Sequence, residues 1–319
     1  MNPQAFLRDL ERKPEMLRAL ADSLDAAELW PRRRPERIVM IGMGSSRFAA
    51  GVAATRMRAA GVDAVGEYAS LEVGTPPGDG VLAIGISASG ATEETIEALA
   101  RHGGSSTTVA LTNRSGSAIE RAADAVVPML AGDEDGGVAC RSFQHTLALL
   151  LALEASTAGG GDVAGAVRRA AEASEDLLER RDTWLPGVGD LLAEGPATFT
   201  IAPAERLSSA EQGALMLREG PRRTAGACEA GDWLHVDVYL TKPLDYRALL
   251  FAGSRSDPAI IAWMRDRGSR VVAVGGDVDG VDRTVRYRHD GNPDAALLTE
   301  VLVAELVAAR WWLAQDAQA

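Results

Sequence analysis

From Arg37 onward the chain alternates short apolar runs with longer stretches in which apolar residues recur every three or four positions. RIVMIG, DAVGEY, GVLAIGIS, STTVALT and AVVPML have the length and composition of strands. Between them, SSRFAAGVAATRMRAAG (closed by Gly61), the stretch from Thr92 to His102, and SAIERAA carry helical spacing. A longer apolar helix is predicted over roughly Phe143 to Ala155. Strands alternating with helices predict right-handed crossovers and a parallel, doubly wound sheet. Strand runs without polar alternation fit burial on both faces.

Residues 1–30 read as one or two amphipathic helices ending at Trp30-Pro31, followed by PRRRPER, a basic connector. A Gly-rich break, TAGGGDVAG, and a helical stretch, VRRAAEASEDLLERRDTWL, separate the first pattern from a second. The second runs ATFTIA, a helix from Leu207 to Glu219, TAGACEA, ALLFAGS, DPAIIAWMRDRG, RVVAVGG, TVRYRHD and a last helix ending in RWWLAQ. VLAIGISASG…TTVALTN and ALLFAGSRSD…VVAVGG each read strand, Ser-X-Ser loop, helix, strand, an imperfect internal repeat. The expected organisation is a helical segment (1–36), a first α/β domain (37–157), a connecting helix (158–193) and a second α/β domain (194–319).

The 319 residues are enough for two domains, and 46% of them are hydrophobic, ample for two buried sheets. A net charge of −12 argues against a nucleic-acid partner, which demands a basic face. Two cysteines, Cys140 and Cys228, make no disulfide framework and fit a reduced compartment. The charged opening MNPQAFLRDLERKPEML lacks a signal-peptide core, and LALLLAL falls far short of a membrane span. A soluble, cytoplasmic protein with no membrane partner is expected.

The chemistry concentrates in ISASGATEET, where the third strand ends near Ile86. Ser87, Ser89 and Thr92 bring three hydroxyls, with Gly90 among them. Thr92 stands where a helix N-cap belongs, and Thr92-Glu93-Glu94-Thr95 resembles a capping box. A cap accounts for one hydroxyl. Three, beside a glycine that lets backbone approach a ligand, suit an anion cradle at a helix N-terminus, where amides and the dipole favour negative charge. Crevices at strand carboxyl ends are the usual ligand sites of doubly wound sheets. IGMGSSR also joins a strand to a helix, but Arg47 stands where a dinucleotide fingerprint needs glycine. Gly44, Ser45 and Ser46 instead form a second hydroxyl-bearing turn, expected to face the same crevice. No His, Cys and Asp spacing suggests a metal site. The acidic GDEDGG lacks the ligand series of a calcium loop and reads as a flexible active-site loop. No cofactor is expected.

Together these residues resemble the SIS (sugar isomerase) superfamily of phosphosugar-binding proteins, and most of all the double-SIS isomerase half of the glucosamine-6-phosphate synthases. Ser87-Ala88-Ser89-Gly90-Ala91-Thr92 looks like the family's Ser-X-Ser-Gly-X-Thr phosphate loop. Gly44-Ser45-Ser46 looks like its Gly-Thr-Ser turn, and EYAS (Glu67 to Ser70) like its Glu-X-Ala-Ser. AGDEDGGVACRSF resembles Ala-Gly-Thr-Glu…Gly-Val-Ala-Ser-Thr-Lys-X-Phe, which implies a substrate contact at Val138 and puts Arg141 in place of a lysine. SAEQGALMLREG resembles the family helix that carries the catalytic glutamate. Glu219 falls on that glutamate, with Met216 at a family lysine and Arg218 at another. AGDWLHVD resembles Gly-Glu-X-X-His-Gly-Pro and puts His235 on the ring-opening histidine.

The resemblance implies an α/β protein of two tandem SIS domains, each a five-stranded parallel doubly wound sheet flanked by helices. It implies a small sugar phosphate as ligand, no cofactor, and a homodimer or homotetramer in which the histidine often completes a neighbouring subunit's site. The implied chemistry is a proton shuttle between C1 and C2 by Glu219 through an enediol or enolamine. His235, whose charge can change near neutral pH, would assist ring opening. The expected activity is an aldose–ketose isomerase, or an aminosugar-phosphate deaminase or deglycase, acting on a hexose 6-phosphate derivative. The alternative is a non-catalytic sugar-phosphate sensor or regulatory protein. The first 36 residues are too short for a helix-turn-helix, so a DNA-binding regulator is not expected. No glutaminase segment precedes the first domain, and the synthases' lysine-bearing tail has no match at AQDAQA, so glutamine-driven amination is not expected. His145 is expected to be structural, His102 and His289 to lie on the surface, and Trp311 and Trp312 to serve an interface or a core.

Overall fold

The computed structural model describes residues 1–30 and 35–318; residues 31–34 of the basic stretch PRRRPER lie outside the described residues. Helices α1 (Pro3–Glu11) and α2 (Lys13–Ala26) precede β1 (Arg37–Gly42). There follow α3 (Ser45–Ala59), β2 (Ala64–Tyr68), β3 (Val81–Ile86), α4 (Glu93–Ala100), β4 (Thr107–Thr112), β5 (Ala125–Pro128) and α5 (Arg141–Ala158). Next come α6 (Val163–Glu179), α7 (Arg181–Ala193), β6 (Thr198–Ala202), α8 (Leu207–Glu219), β7 (Ala225–Glu229) and α9 (Ala230–Trp233). The chain closes with β8 (Arg247–Phe251), α10 (Asp257–Asp266), β9 (Arg270–Val274), β10 (Arg283–Val285), α11 (Pro293–Thr299) and α12 (Val301–Asp316).

The chain divides into two compact units. One comprises Met16–Asp133 and Arg141–Val167 and holds β1 to β5; the other comprises Met1–Glu15, Glu134–Cys140 and the chain from Arg168 on, and holds β6 to β10. The segments expected from the sequence are consecutive, whereas these units are not: α1 and the stretch 134–140 belong with the second sheet.

Each unit is built on a five-stranded sheet, in the order β2-β1-β3-β4-β5 or β10-β9-β8-β6-β7. All pairings are parallel. Counted within each unit, both follow the same winding, so the weak repeat in the sequence is a full repeat of topology.

In the first unit Val39 and Ile41 pack with Ala98, while Ala83 and Ala110 pack with Leu99 and Ile119. Gly85 is fitted to this layer, because a Cβ there would lie 2.9 Å from Leu99 Cδ2. In the second unit alternate residues of β8 serve two cores. Leu249 and Phe251 join the α8 and α12 side, and Ala248 and Leu250 join Trp233, Ile260 and Met264. Phe199 and Tyr246 stack at 4.1 Å, and Trp233 Nε1 donates to Tyr246 Oη at 2.9 Å, so the polar ends of two buried aromatics satisfy each other. Trp311 is core, donating to Gly189 O, and Trp312 packs on Phe6.

Four local expectations are corrected. SAIERAA is a 3-10 turn, Ala118–Ala122, too short to close α-helical turns. The single connecting helix is two, α6 and α7, and α7 runs through Pro186, forgoing one backbone bond. The last helix is likewise two, α11 and α12. TVRYRHD forms a strand only over Arg283–Val285.

Candidate functional site

The winding of the first sheet reverses between β1 and β3. From β1 the chain crosses to β2 on one side, and from β3 to β4 on the other. Gly42 is the register partner of Ile86, so the turns that follow these residues are neighbours at one carboxyl edge. This is the switch point where doubly wound sheets leave a crevice. The Gly44–Ser46 turn and the Ser87–Thr92 loop both lie there, as the sequence predicts.

Gly44 adopts φ 50° and ψ −127°, a conformation that only glycine takes without strain, and a Cβ there would meet nothing within 4 Å. It opens α3, with Ser45 and Ser46 half-buried in the first turn. In the second loop Ser87 is 3% exposed, and its Oγ lies 2.9 Å from Thr92 Oγ1 and 3.5 Å from Ser89 Oγ. Ser89 is exposed and accepts from the Ala91 amide at 3.2 Å. Ala88 is half-buried between them.

Two details correct the expectations. Thr92 occupies the N-cap of α4 but makes no side-chain cap bond, so the capping box does not form; its hydroxyl goes to Ser87. Gly90 is required by protein neighbours rather than by room for a ligand. It has φ +63°, and a Cβ there would lie 2.1 Å from Ser117 Oγ.

Arg141 is fully buried at the start of α5 and donates to Asp133 O. Glu67, of the EYAS stretch, accepts from Thr75 N–H at 3.0 Å and from Thr75 Oγ1 at 2.6 Å, latching the chain after β2. His145 is core, with Nδ1 2.8 Å from Met129 O. His102, expected on the surface, is 3% exposed beside Ser106, and burial lowers its pKa.

The second sheet has its own switch point, between β6 and β8, where a cavity opens but the loop amides are engaged from within. Asp257 Oδ2 accepts from the Gly253 and Ser254 amides at 2.7 and 3.1 Å, where an external anion would sit. Arg206 is committed to Glu300, which is fully buried, at 3.0 Å. The amides that open the Ser254-Arg255-Ser256 repeat of the hydroxyl loop are thus taken by the chain's own Asp257. The sequence holds no plain signal for this, apart from Glu300 beside an apolar run.

Val138, Glu219 and His235 lie in this second unit. Val138 is 2% exposed and packed with Phe6 and Leu10. Glu219 ends α8, is half-buried, and has a carboxyl raised above the usual 4.5 by that burial. His235 is exposed in the turn after α9, its amide bonded to Asp232 O at 2.8 Å.

These two candidates are not brought together. α8 returns antiparallel to the strands, so Glu219 stands at the amino edge of the sheet, whereas His235 follows the carboxyl end of β7. The five residues of β7, at ~3.3 Å each, separate those edges by roughly 16 Å.

Neither cysteine offers a nucleophile. Burial, with Glu134 nearby, raises the Cys140 thiol far above its ordinary range. Burial and nearby acidic groups push Cys228 up to about 12. No His/Cys/Asp/Glu group suited to a metal occurs among the described residues, and no helix there is long and apolar enough to cross a membrane.

Comparison with known proteins agrees with this architecture. The family described as SIS domain matches residues 33–156. A glutamine–fructose-6-phosphate aminotransferase (isomerizing) of Pyrobaculum aerophilum is 30% identical over 255 residues, 75% of this chain and 42% of that protein. The chain spans less than half the length of the curated relatives it matches first. The C-terminal domain of glucosamine-fructose-6-phosphate aminotransferase from Francisella tularensis superposes with a TM-score of 0.83 at 19% identity, over 97% of this chain and 96% of that one. Tagatose-6-phosphate ketose/aldose isomerase from Escherichia coli superposes with a TM-score of 0.82 at 17% identity, over 98% and 93%. The chain therefore contains a SIS domain, matched over residues 33–156 on its first sheet, and the same winding is repeated in its second.

Proposed function

We propose that this chain binds a hexose 6-phosphate derivative and moves its carbonyl between C1 and C2, as an aldose–ketose isomerase or the related aminosugar-phosphate deaminase or deglycase. The observation that carries this reading is the Ser87–Thr92 loop. It gathers three hydroxyls at the first switch point, while the amides of the equivalent loop of the second sheet are taken by Asp257. In a chain of net charge −12, hydroxyls and amides can hold a phosphate without a cationic patch. Gly44, Ser45 and Ser46 would complete the phosphate grip. The backbone at Ala88 would line the sugar, and Arg141 would order the chain at Asp133.

In the isomerisation Glu219 takes the proton from C2 of the open aldose, and the electron pair moves to give an enediol once O1 is protonated. The same carboxyl then returns the proton to C1 while O2 loses its own, leaving the ketose. The half-buried position of Glu219 suits a proton carrier whose pKa must lie closer to neutrality. His235 would open the ring. Because it stands at the other edge of the sheet from Glu219, it would serve the site of a second copy in a homodimer or homotetramer.

Lysine usage favours the enediol over an imine. The sequence contains two lysines, Lys13 and Lys242, and the family lysine positions hold Met216, Arg218 and Arg141. The same loss favours the second reading, a sugar-phosphate sensor that does not turn its ligand over.

Incubation with fructose 6-phosphate, glucosamine 6-phosphate and a fructosamine 6-phosphate, following interconversion and ammonia release, tests the proposal. Turnover of one supports the enzyme. Calorimetric binding without turnover of any supports the sensor. Absence of binding by all three overturns both.

A further inference from the structure

Strands β3 and β4 end side by side, and the turns that follow them are joined by one bond. Asn113 N–H donates to Ala88 O at 3.1 Å. The register of Ile86 with Leu111 would set Ser87 O opposite that donor if the parallel ladder simply continued. Ser87 O instead accepts from Gly90 N–H at 3.0 Å, inside the hydroxyl loop. The bond from Asn113 to Ala88 is therefore particular to this turn.

Its consequence lies in the peptide between Ala88 and Ser89. A trans peptide directs its C=O and its N–H to opposite sides. Strand β3 stands between β1 and β4. With the Ala88 carbonyl turned to the β4 side, the Ser89 N–H is turned to the β1 side, where the Gly44–Ser46 turn and the crevice lie. Ser89 is exposed, and among the described residues nothing accepts from its N–H. Amides near it are already used: Ser87 N–H donates to Leu111 O at 3.1 Å, and Ala91 N–H to Ser89 Oγ at 3.2 Å. With this peptide flipped, a carbonyl oxygen would face the crevice and repel an anion.

Asn113 is itself held by its side chain. Its Nδ2 donates to Gly132 O at 2.7 Å, and its Oδ1 accepts from Ala131 N–H at 2.9 Å. A carboxamide can do this because it carries a donor and an acceptor together, as a backbone peptide does. The turn it grips is strained: Leu130 has φ 58°, a left-handed conformation uncommon outside glycine, and Gly132 has φ 65°. Such a conformation persists where its surroundings over-determine it. All these residues belong to the first compact unit, with the hydroxyl loop.

We infer that Asn113 is a positioning residue for phosphate binding: its side chain fixes it to the turn after β5, and its backbone N–H holds the Ala88–Ser89 peptide with the Ser89 amide toward the crevice. The inference rests on the phosphosugar reading above.

Two measurements on the full chain test it: calorimetric affinity for glucosamine 6-phosphate, and the Ser89 amide signal in the ¹H–¹⁵N spectrum without ligand. Asn113→Ala is expected to weaken binding by about tenfold, the scale of one hydrogen bond to a charged group, and to shift or broaden the Ser89 signal. Asn113→Asp keeps the acceptor for Ala131 N–H and loses the donor to Gly132 O. It is expected to lie between, and it serves if Asn113→Ala does not fold. Leu150→Ala, a cavity under the buried face of α5 in the same unit, supplies a comparable loss of Tm and is expected to change neither readout. If Asn113→Ala binds as Leu150→Ala does at matched Tm, or if the Ser89 signal keeps its place, the inference is overturned and the phosphosugar reading stands. If the unaltered chain binds no phosphosugar while the Ser89 signal follows expectation, the phosphosugar reading falls and the stated role of Asn113 in phosphate binding is overturned with it.

Discussion

The hydroxyls of Ser87 and Thr92 lie 2.9 Å apart across the turn from β3 to α4. Thr92 therefore does not spend its oxygen on the first amides of its own helix, which has no side-chain cap bond. Amides left open at a helix start are the groups that a phosphate oxygen satisfies best. The pair also fixes the loop in advance, so binding pays little to order it.

Thr92→Val should lower Tm only slightly, because no cap bond is lost, yet weaken sugar-phosphate binding by about tenfold. Ser87→Ala should do the same, and the double variant should lose less than the sum, since the two hydroxyls act as one unit. Titration calorimetry and thermal unfolding on the four proteins check this. A stability loss of more than about 1 kcal/mol with unchanged affinity would make the Ser87–Thr92 bond structural rather than ligand-binding.

Gly90→Ala should destabilise the chain by about 2 kcal/mol or more. It forces a side chain into φ +63° and into Ser117, whose Oγ and Cβ would lie 2.1 and 2.4 Å away. Denaturant titration measures the loss. Adding Ser117→Gly should recover the steric part and leave the backbone strain.

Glu219→Gln should abolish turnover while leaving affinity within about twofold, because the carbonyl amide keeps the shape and loses the base. In the unaltered protein the acid limb of the rate profile should fall above the usual carboxylate value of 4.5, in the direction that burial pushes this group. For stability the sign is opposite to that of a salt-bridged carboxylate. The folded chain holds this proton more tightly than the unfolded one, so ionising Glu219 weakens the fold as pH rises through 4.5 and above.

Lys13 and Glu305 form an ion pair with both side chains fully buried. Lys13→Met alone, or Glu305→Leu alone, should cost about 3–5 kcal/mol, since each strands a buried charge. The double replacement should cost much less than either, as two apolar side chains fill the same space. Urea unfolding of the three variants decides whether the pair is needed for stability or only for mutual neutralisation.

Much of the fold was legible because its signals are local. The apolar strand runs, their β-branched residues and the glycines and hydroxyls between them specify parallel strands and turns without reference to distant parts of the chain. The Ser87–Thr92 motif was readable for the same reason, since the residues that make it are adjacent. The burial of His102 escapes a local reading because residues far along the chain, Ile41 and Glu67 among them, line the same cavity. SAIERAA has helical composition, but its residues are held as a 3-10 turn by packing against β4 and α4.

The sequence alone determined two α/β repeats, their parallel winding and a hydroxyl loop at a strand end, because hydrophobic period and turn chemistry are properties of neighbouring residues. Only the tertiary structure decided that Thr92 turns to Ser87, that Asp257 takes the amides of the second loop, that Glu219 and His235 stand at opposite edges, and that Asn113 reaches Ala88. Each of those depends on which groups the completed sheets bring within 3 Å or keep apart, and a buried polar atom takes whatever partner packing leaves beside it.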